Sequence, residues 1–359
     1  MKRAKRKIRA SEVSGRKARG GASALPEDEL VRRLAAAGWA RRNRAVGLRL
    51  GIGDDAALWA ARPGFEVVLT CDWFLEGTHF LRAKHPPDSV GWKCVARAVS
   101  DVAAMGGEAQ CFLLSLALPK SATEAWLDGF LHGLRRAQAQ LGCVLAGGDT
   151  TRSERILINV MVVGEVPRGR ALRRDGARPG DIVYVSGRLG EAEFGLRRLR
   201  AAKRVVAGDP LLRKHFYPEP RLELGAWLAK NRLATAAMDL SDGLSTDLAR
   251  LCAASKVGAR IDAAQLPVAR APKLDAQEAL GLALHGGDDY ELLFTVAQRN
   301  RKRIPAQLHG LKLTEIGVVT RERQILLLNA ARKEKRRRDA SKLGEQPLAA
   351  RGWDPFRGR

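Results

Sequence analysis

The chain has 359 residues, 45% of them hydrophobic, and a formal charge of +24. That apolar content fills one large core or two ordinary ones. No apolar run reaches the ~18–20 residues of a membrane helix, and no apolar segment of secretory type stands near the start, so neither a membrane protein nor a secreted one is expected.

Cys71, Cys94, Cys111, Cys143 and Cys252 are odd in number and form no C-x-x-C pair. They predict a reducing compartment, the cytoplasm, and argue against a thiolate zinc site. Six histidines without an HExxH motif argue equally against zinc hydrolase chemistry. Much of the positive charge lies in Met1 to Gly20 and in Ala331 to Lys342. Both runs are poor in apolar residues and read as solvated or disordered, a basic tail over residues 1–25 and a basic insert near 331–342. Such runs can bind RNA or anionic surfaces loosely by counterion release, but a solvated tail with no specific nucleic-acid partner is the preferred reading. The first run is Arg-rich and acid-poor, yet it lacks the apolar face of an organelle transit peptide.

Taken in order, Asp28 to Ala37 has helical apolar spacing, and a loop then leads to GIGDDAALW. Phe65 to Cys71 reads as a buried strand stopped by Asp72. Ser89 to Met105 reads as a helix with a break near Ser100-Asp101, Cys111 to Leu118 as a strand, and Ser121 to Leu141 as a helix with a capping-box start. Val144 to Ala146 and Ile156 to Val163 are strands. Glu165 to Pro179 is polar and rich in Arg and Gly, a connection between domains. Beyond it come a strand over Asp181 to Ser186, helices over Leu189 to Leu199 and Arg221 to Lys230, and a strand over Thr235 to Met238. A helix over Leu244 to Ser255, a strand over Glu291 to Val296, a helix over Ala297 to Leu308 and a strand over Leu313 to Val319 follow. Alternating strands and helices predict an α/β (α+β) protein of two domains, 26–166 and 167–359.

One pattern recurs: an apolar element ends in aspartate beside a turn, at Asp54-Asp55, Asp72, Asp101, Asp149, Asp239 with Asp242, and Asp288-Asp289. Any one of them is explained as a cap or an Asp-Gly turn. A parallel-type layout would bring them all to one edge, where their mutual repulsion calls for a cation. Mg²⁺, a hard ion that bridges carboxylates to phosphates, suits that role, and glycines beside the aspartates would let the backbone approach phosphate. The chain has no P-loop and no kinase H-R-D or D-F-G set, so phosphoryl transfer from ATP needs another scaffold.

The runs GIGDDAAL (51–58), TCDWFLEGTHF (70–80), GWKCVARAVSDVAAMGG (91–107), AGGDTTR (146–152), GRALRRDGARPGDIVYVSGRLG (169–190), AMDLSDGLSTDL (237–248), GGDDYELLFTV (286–296) and GWDPF (352–356) together resemble the thiamine-monophosphate kinase family of the aminoimidazole-ribonucleotide-synthetase-like superfamily. They run in the family's order over nearly all of residues 26–356. The resemblance implies the superfamily's two-domain fold, an N-terminal dimerising domain and a C-terminal α/β domain, working as a homodimer. It implies the reaction ATP + thiamine monophosphate → ADP + thiamine diphosphate with several Mg²⁺ ions, a requirement for a monovalent cation being left open. The acceptor oxygen is already anionic, so no general base is expected.

Carried over by position, the metal ligands fall on Asp55, Asp72, Asp101, Asp149, Asp239 and Asp242, with Thr70 and Cys71 where a hydroxyl or main-chain carbonyl adds a ligand. Gly148, Asp149 and Ser241 fall at ATP-contact positions; Arg174 fits a phosphate-binding arginine, with Arg173 as its alternative. His79, Asp288 and Trp353 fall at substrate positions. Asp288 stands where the family pattern usually has Glu, one methylene longer, and Ala98 where Asn is common. Two other readings are a related ATP-dependent enzyme acting on another acceptor, and a basic RNA-binding protein that kept the fold without activity.

Overall fold

A computed structural model of the chain describes residues 26–38, 47–206, 208–328 and 344–356. The basic tail and the 331–342 insert lie outside them. In chain order the elements are α1 (Glu27–Gly38), β1 (Leu48–Leu50), β2 (Leu58–Trp59), β3 (Phe65–Leu75), α2 (Pro87–Ala104), β4 (Glu108–Leu118), α3 (Glu124–Leu141), β5 (Val144–Arg152) and β6 (Leu157–Pro167). There follow β7 (Ile182–Ser186), α4 (Glu191–Ala201), α5 (Arg213–Phe216), α6 (Leu222–Lys230), β8 (Ala234–Leu240), α7 (Leu244–Ser255), β9 (Gly258–Asp262) and α8 (Ala276–His285). The last are β10 (Glu291–Val296), β11 (Gln307–Leu308), β12 (Leu311–Thr320), β13 (Ile325–Leu328) and β14 (Glu345–Pro347).

The N-terminal sheet has the order β3-β6-β4-β5. Residues alternate between its faces, and one face packs on α2 through Phe74, Phe112, Ile158, Val160 and Val162. Helix α3 packs against α2 so closely that a Cβ on Gly133 would lie 1.8 Å from the Asp88 carbonyl oxygen. The C-terminal sheet has the order β14-β13-β9-β12-β7-β10-β8, with β11 paired to β12. It is covered on both faces: Val183 and Val185 of β7 face α7 and α8, whereas Ile182 and Tyr184 face α6. Such two-sided burial explains why β7 and β10 read as continuous apolar runs.

Helix α2 joins the two halves. Pro87 starts it, where a missing N–H costs nothing, and Gly106 with φ +74 ends it. Its sides meet α3, β3 and β6 of one half and α6 and β8 of the other, so nearly all its length is buried.

Several expectations are corrected. β3 does not stop at Asp72 but runs to Leu75, because all eleven residues pair with β6. α2 is unbroken at Ser100-Asp101. α3 begins at Glu124, with Thr123 as its cap accepting from the Trp126 N–H at 3.1 Å. Ala297 to Leu308 forms a short 3₁₀ turn, Gln298–Arg303, and then β11; Pro305 disfavours helix at Ile304. The layout is also not of parallel type. Most pairs are antiparallel, the parallel ones being β4 with β5 and β9 with β13. The aspartates therefore do not line one sheet edge.

Candidate active site

Lys93, Arg97 and Asp101 recur at every fourth residue of α2, with Ser100 beside Asp101, and form a polar stripe facing the junction of the two halves. Each member meets an acidic or hydroxyl partner from another element. The Lys93 ammonium donates to Asp288 Oδ2 at 2.8 Å. Arg97 approaches Asp72 of β3 at 3.7 Å. Ser100 Oγ donates to Asp239 Oδ2 of β8 at 2.8 Å, and Thr70 Oγ1 of β3 donates to the Asp101 carboxylate.

The C-terminal half closes this junction. In the turn after β8, the amides of Asp242 and Gly243 both donate to Asp247 Oδ2 at 3.0 Å, and Arg250 pairs with both carboxylates. Asp288 has φ +67; its N–H donates to the Ser241 carbonyl at 2.8 Å, and its Oδ1 accepts from Tyr290 Oη at 2.8 Å. The Trp353 N–H donates to the Asp242 carbonyl at 2.8 Å, which docks the C-terminal segment on the same turn.

The electrostatics divide the carboxylates. Burial pushes Asp239 up to about 8, and Asp101, Asp247 and Asp72 add to the rise against the Ser100 hydrogen bond. Burial also raises Asp72; Arg97 partly offsets this, while Asp101, Asp242 and Asp288 reinforce it. Asp288 behaves oppositely: burial is outweighed by Lys93, Arg97 and His215, which hold it well below the usual range. His79 is half-buried, with Nδ1 accepting from the Leu75 N–H at 3.0 Å. Burial, with Arg97 and Lys93, pushes its imidazole down to about 4 against Asp288, so it is neutral near pH 7.

This two-domain arrangement was compared with known proteins. The family models for the N-terminal and C-terminal domains of AIR synthase related protein match residues 53–166 and 178–327. The thiamine-monophosphate kinase of Escherichia coli (strain K12) is 40% identical over 286 residues, which cover 78% of this chain and 86% of that protein. The chain belongs to the thiamine-monophosphate kinase family. The crystal structure of the Stenotrophomonas maltophilia K279a thiamine-monophosphate kinase matches with a TM-score of 0.74 and 38% identity, covering 83% of this chain and 95% of that one. The structure described as "AaThiL complexed with AMPPCP and TMP" matches with a TM-score of 0.67 and 35% identity, covering 77% and 87%.

In this kinase fold the family-matched residues fall into three places. Thr70, Asp72, Asp101, Asp239, Asp242, Asp288, His79, Ser241 and Trp353 belong to the junction on α2 or its rim. Arg174 lines a neighbouring cleft of about 690 Å³ with Thr70 and Asp101. Arg173 lines it too, but its guanidinium is paired with Asp175 at 2.6 Å. Asp55, Gly148 and Asp149 line a separate cleft of about 960 Å³.

The sheet separates the first place from the third. The row Trp73–Asn159–Ser115–Asp149 crosses it from β3 to β5 on one face. The neighbouring row Asp72–Val160–Leu114–Gly148 faces α2. Asp72 and Asp149 thus stand on opposite faces of one sheet. The Cys71 side chain also points away from Asp72, with its Sγ against the Asn159 side chain. Gly148 has φ +153 and sits so near β4 that a Cβ would lie 1.9 Å from the Leu114 carbonyl oxygen.

The donors at the junction are hard oxygens, and the rise of Asp239 and Asp72 marks a place where a cation would relieve repulsion, so the residues fit Mg²⁺. Among the described residues no three His, Cys, Asp or Glu side chains stand close enough to hold an ion by themselves. Phosphate and water oxygens would have to complete the coordination, as is usual for Mg²⁺ at nucleotide sites. Lys93, Arg97, Ser100 and Tyr290 were not singled out from the sequence. The signal available for the first three was their spacing ahead of Asp101, which reads locally as one polar helix face.

Proposed function

We propose that the chain transfers the γ-phosphoryl group of ATP to thiamine monophosphate, giving ADP and thiamine diphosphate in the cytoplasm. The observation that carries this reading is the gathering of Asp72 of β3 and Asp239 of β8 against α2 beside Asp101, with burial and then Asp101 pushing Asp239 up to about 8. An ATP analogue and TMP are named together in the AaThiL complex to which the fold is similar. No helix among the described residues is long and apolar enough to cross a membrane.

In the transfer, an anionic oxygen of the acceptor phosphate attacks the γ-phosphorus, and the bond from that phosphorus to the β–γ bridging oxygen breaks, leaving its electron pair on ADP. The attacking group needs no base, so the protein's work is alignment and charge neutralisation. Asp72, Asp101, Asp239 and Asp242 with Thr70, and Asp55 and Asp149 on the other face, would hold Mg²⁺, the Cys71 carbonyl adding a donor. Mg²⁺ bound there would neutralise phosphate charge and stabilise the in-line transition state. Gly148 and Ser241 give ATP close backbone approach, and Arg174, whose neighbour Arg173 is already paired, takes phosphate oxygens. His79, Asp288 and Trp353 bound the acceptor side, Trp353 offering a ring face to the thiazolium.

A homodimer completes this scheme. Val67, Leu69 and Trp73 are 44%, 66% and 56% exposed on the outer face of β3, beside Asp149's row. A second copy covering this apolar strip would bring the Asp55–Asp149 cleft under cover as well. The residue ranges 26–166 and 167–359 are the domains assigned to these roles. The test is ADP release from ATP with a panel of acceptors, thiamine monophosphate, thiamine and unrelated phosphomonoesters. Release confined to thiamine monophosphate is expected; release with a different acceptor alone would replace the assignment.

A further inference from the structure

Arg97 has no role in the scheme above, yet it stands at the centre of the junction. Its side chain is 14% exposed, and its ion pair with Asp72 is long, at 3.7 Å. Its Nε is buried without a hydrogen-bond partner. Its guanidinium carbon lies 5.4 Å from the centroid of the Phe74 ring, which limits how it can turn. Arginine beside a carboxylate ordinarily forms a two-pronged fork at about 2.7–2.9 Å. Arg221 does so in this same chain, giving Nε to Glu291 Oε2 at 2.7 Å and Nη2 to Oε1. Arg97 makes no such fork, although Asp72, Asp242 and Asp288 all surround it closely enough to stabilise its charge.

Its place on α2 narrows the ligand. One step of four residues back, about 6 Å along the axis, is Lys93, which holds Asp288; His79 lies in the field of Arg97, Asp288 and Lys93. One step forward is Asp101, held by Thr70, with Ser100 on Asp239 beside it. Arg97 therefore lies between the acceptor-side residues and the metal-seeking carboxylates. Gly148 and Asp149 line a different cleft. A planar fork at that position suits a phosphomonoester dianion.

We infer that Arg97 receives the phosphate of the acceptor substrate, orienting it for attack. The inference rests on the kinase reading and names the residue that distinguishes the phosphorylated acceptor from its dephosphorylated form. A single arginine among three carboxylates attracts a dianion weakly unless cations share the charge, so binding should be selective only with Mg²⁺ present.

The test is calorimetric titration of the full chain, with Mg²⁺ and a non-hydrolysable ATP analogue, by thiamine monophosphate and separately by thiamine. Wild type is expected to prefer the monophosphate. Arg97→Met should lose roughly ten- to a hundredfold in affinity for the monophosphate and less than about twofold for thiamine. Arg97→Lys, which keeps the charge but not the fork, should fall between, and it carries the same test if the Met variant does not fold. Equal losses for both ligands, or no loss, would overturn the inference and leave the kinase reading standing. A wild type that binds neither ligand would overturn both.

Discussion

The two faces of the N-terminal sheet carry equally acidic family motifs but treat them differently. On the inner face Thr70 and Asp72 are pressed against α2, where Thr70 meets Asp101, Asp72 faces Arg97 and Ser100 holds Asp239. On the outer face Asp149 of the edge strand β5 is exposed, and so are the apolar side chains of Leu69 and Trp73 on the opposite edge strand, β3. The inner face is thus a charge problem already organised by the fold, with carboxylates raised by burial. The outer face is an exposed surface with apolar side chains on it. Two aspartates in neighbouring rows of one sheet thus experience opposite environments.

Variants sharpen that contrast. Asp72→Asn should lower turnover by roughly a hundred- to a thousandfold, because it removes a carboxylate proposed to hold the Mg²⁺ that would neutralise phosphate charge. It should not lower stability, since the fold already raises this carboxylate; an unfolding curve markedly weaker than wild type would contradict the repulsion argument. Lys93→Met should destabilise by about 1–3 kcal/mol in urea titration, because it leaves the half-buried Asp288 carboxylate, 28% exposed, without its ammonium donor. Adding Asp288→Asn should recover most of that loss, and no recovery would show that the pair is not coupled. Gly148→Ala, at the boundary between the faces, should cost about 1–3 kcal/mol through its backbone angle and the contact with Leu114.

A further effect is a pH slope. His85 is pushed down to about 3 by burial and Lys93, so the folded state keeps it neutral where the unfolded chain takes up a proton below about pH 6.5. Its stabilising contribution is complete above pH 6.5 and is lost as the pH falls toward 3, at most about 1.4 kcal/mol per pH unit. His85→Asn should flatten the stability profile between pH 4 and 6. An unchanged slope would assign the acid sensitivity to other groups.

Much of this was legible in the sequence. α7 and β10 have the predicted limits, because their apolar patterns and flanking turns agree. The acidic motifs were found as a series. The continuity of β3 through Asp72 was not, since a polar residue that pairs with a neighbouring strand looks locally like a stop. The split of the aspartates between two faces was also hidden, because it depends on the register of β3, β6, β4 and β5 rather than on any one segment. Lys93 and Arg97 were not singled out, because their burial arises from packing the C-terminal half on α2. Asp288 was read as a substrate contact with a short reach; both its oxygens are engaged by Lys93 and Tyr290.

The most direct test follows ³¹P NMR of ATP and thiamine monophosphate with wild type and Asp72→Asn, first with Mg²⁺ and then with excess chelator. Thiamine diphosphate and ADP should appear together for the Mg²⁺-loaded wild type and vanish with chelator or in the variant. Equal product from wild type and variant, or product that survives complete metal removal, would contradict a transfer organised by metal-binding carboxylates on the inner face.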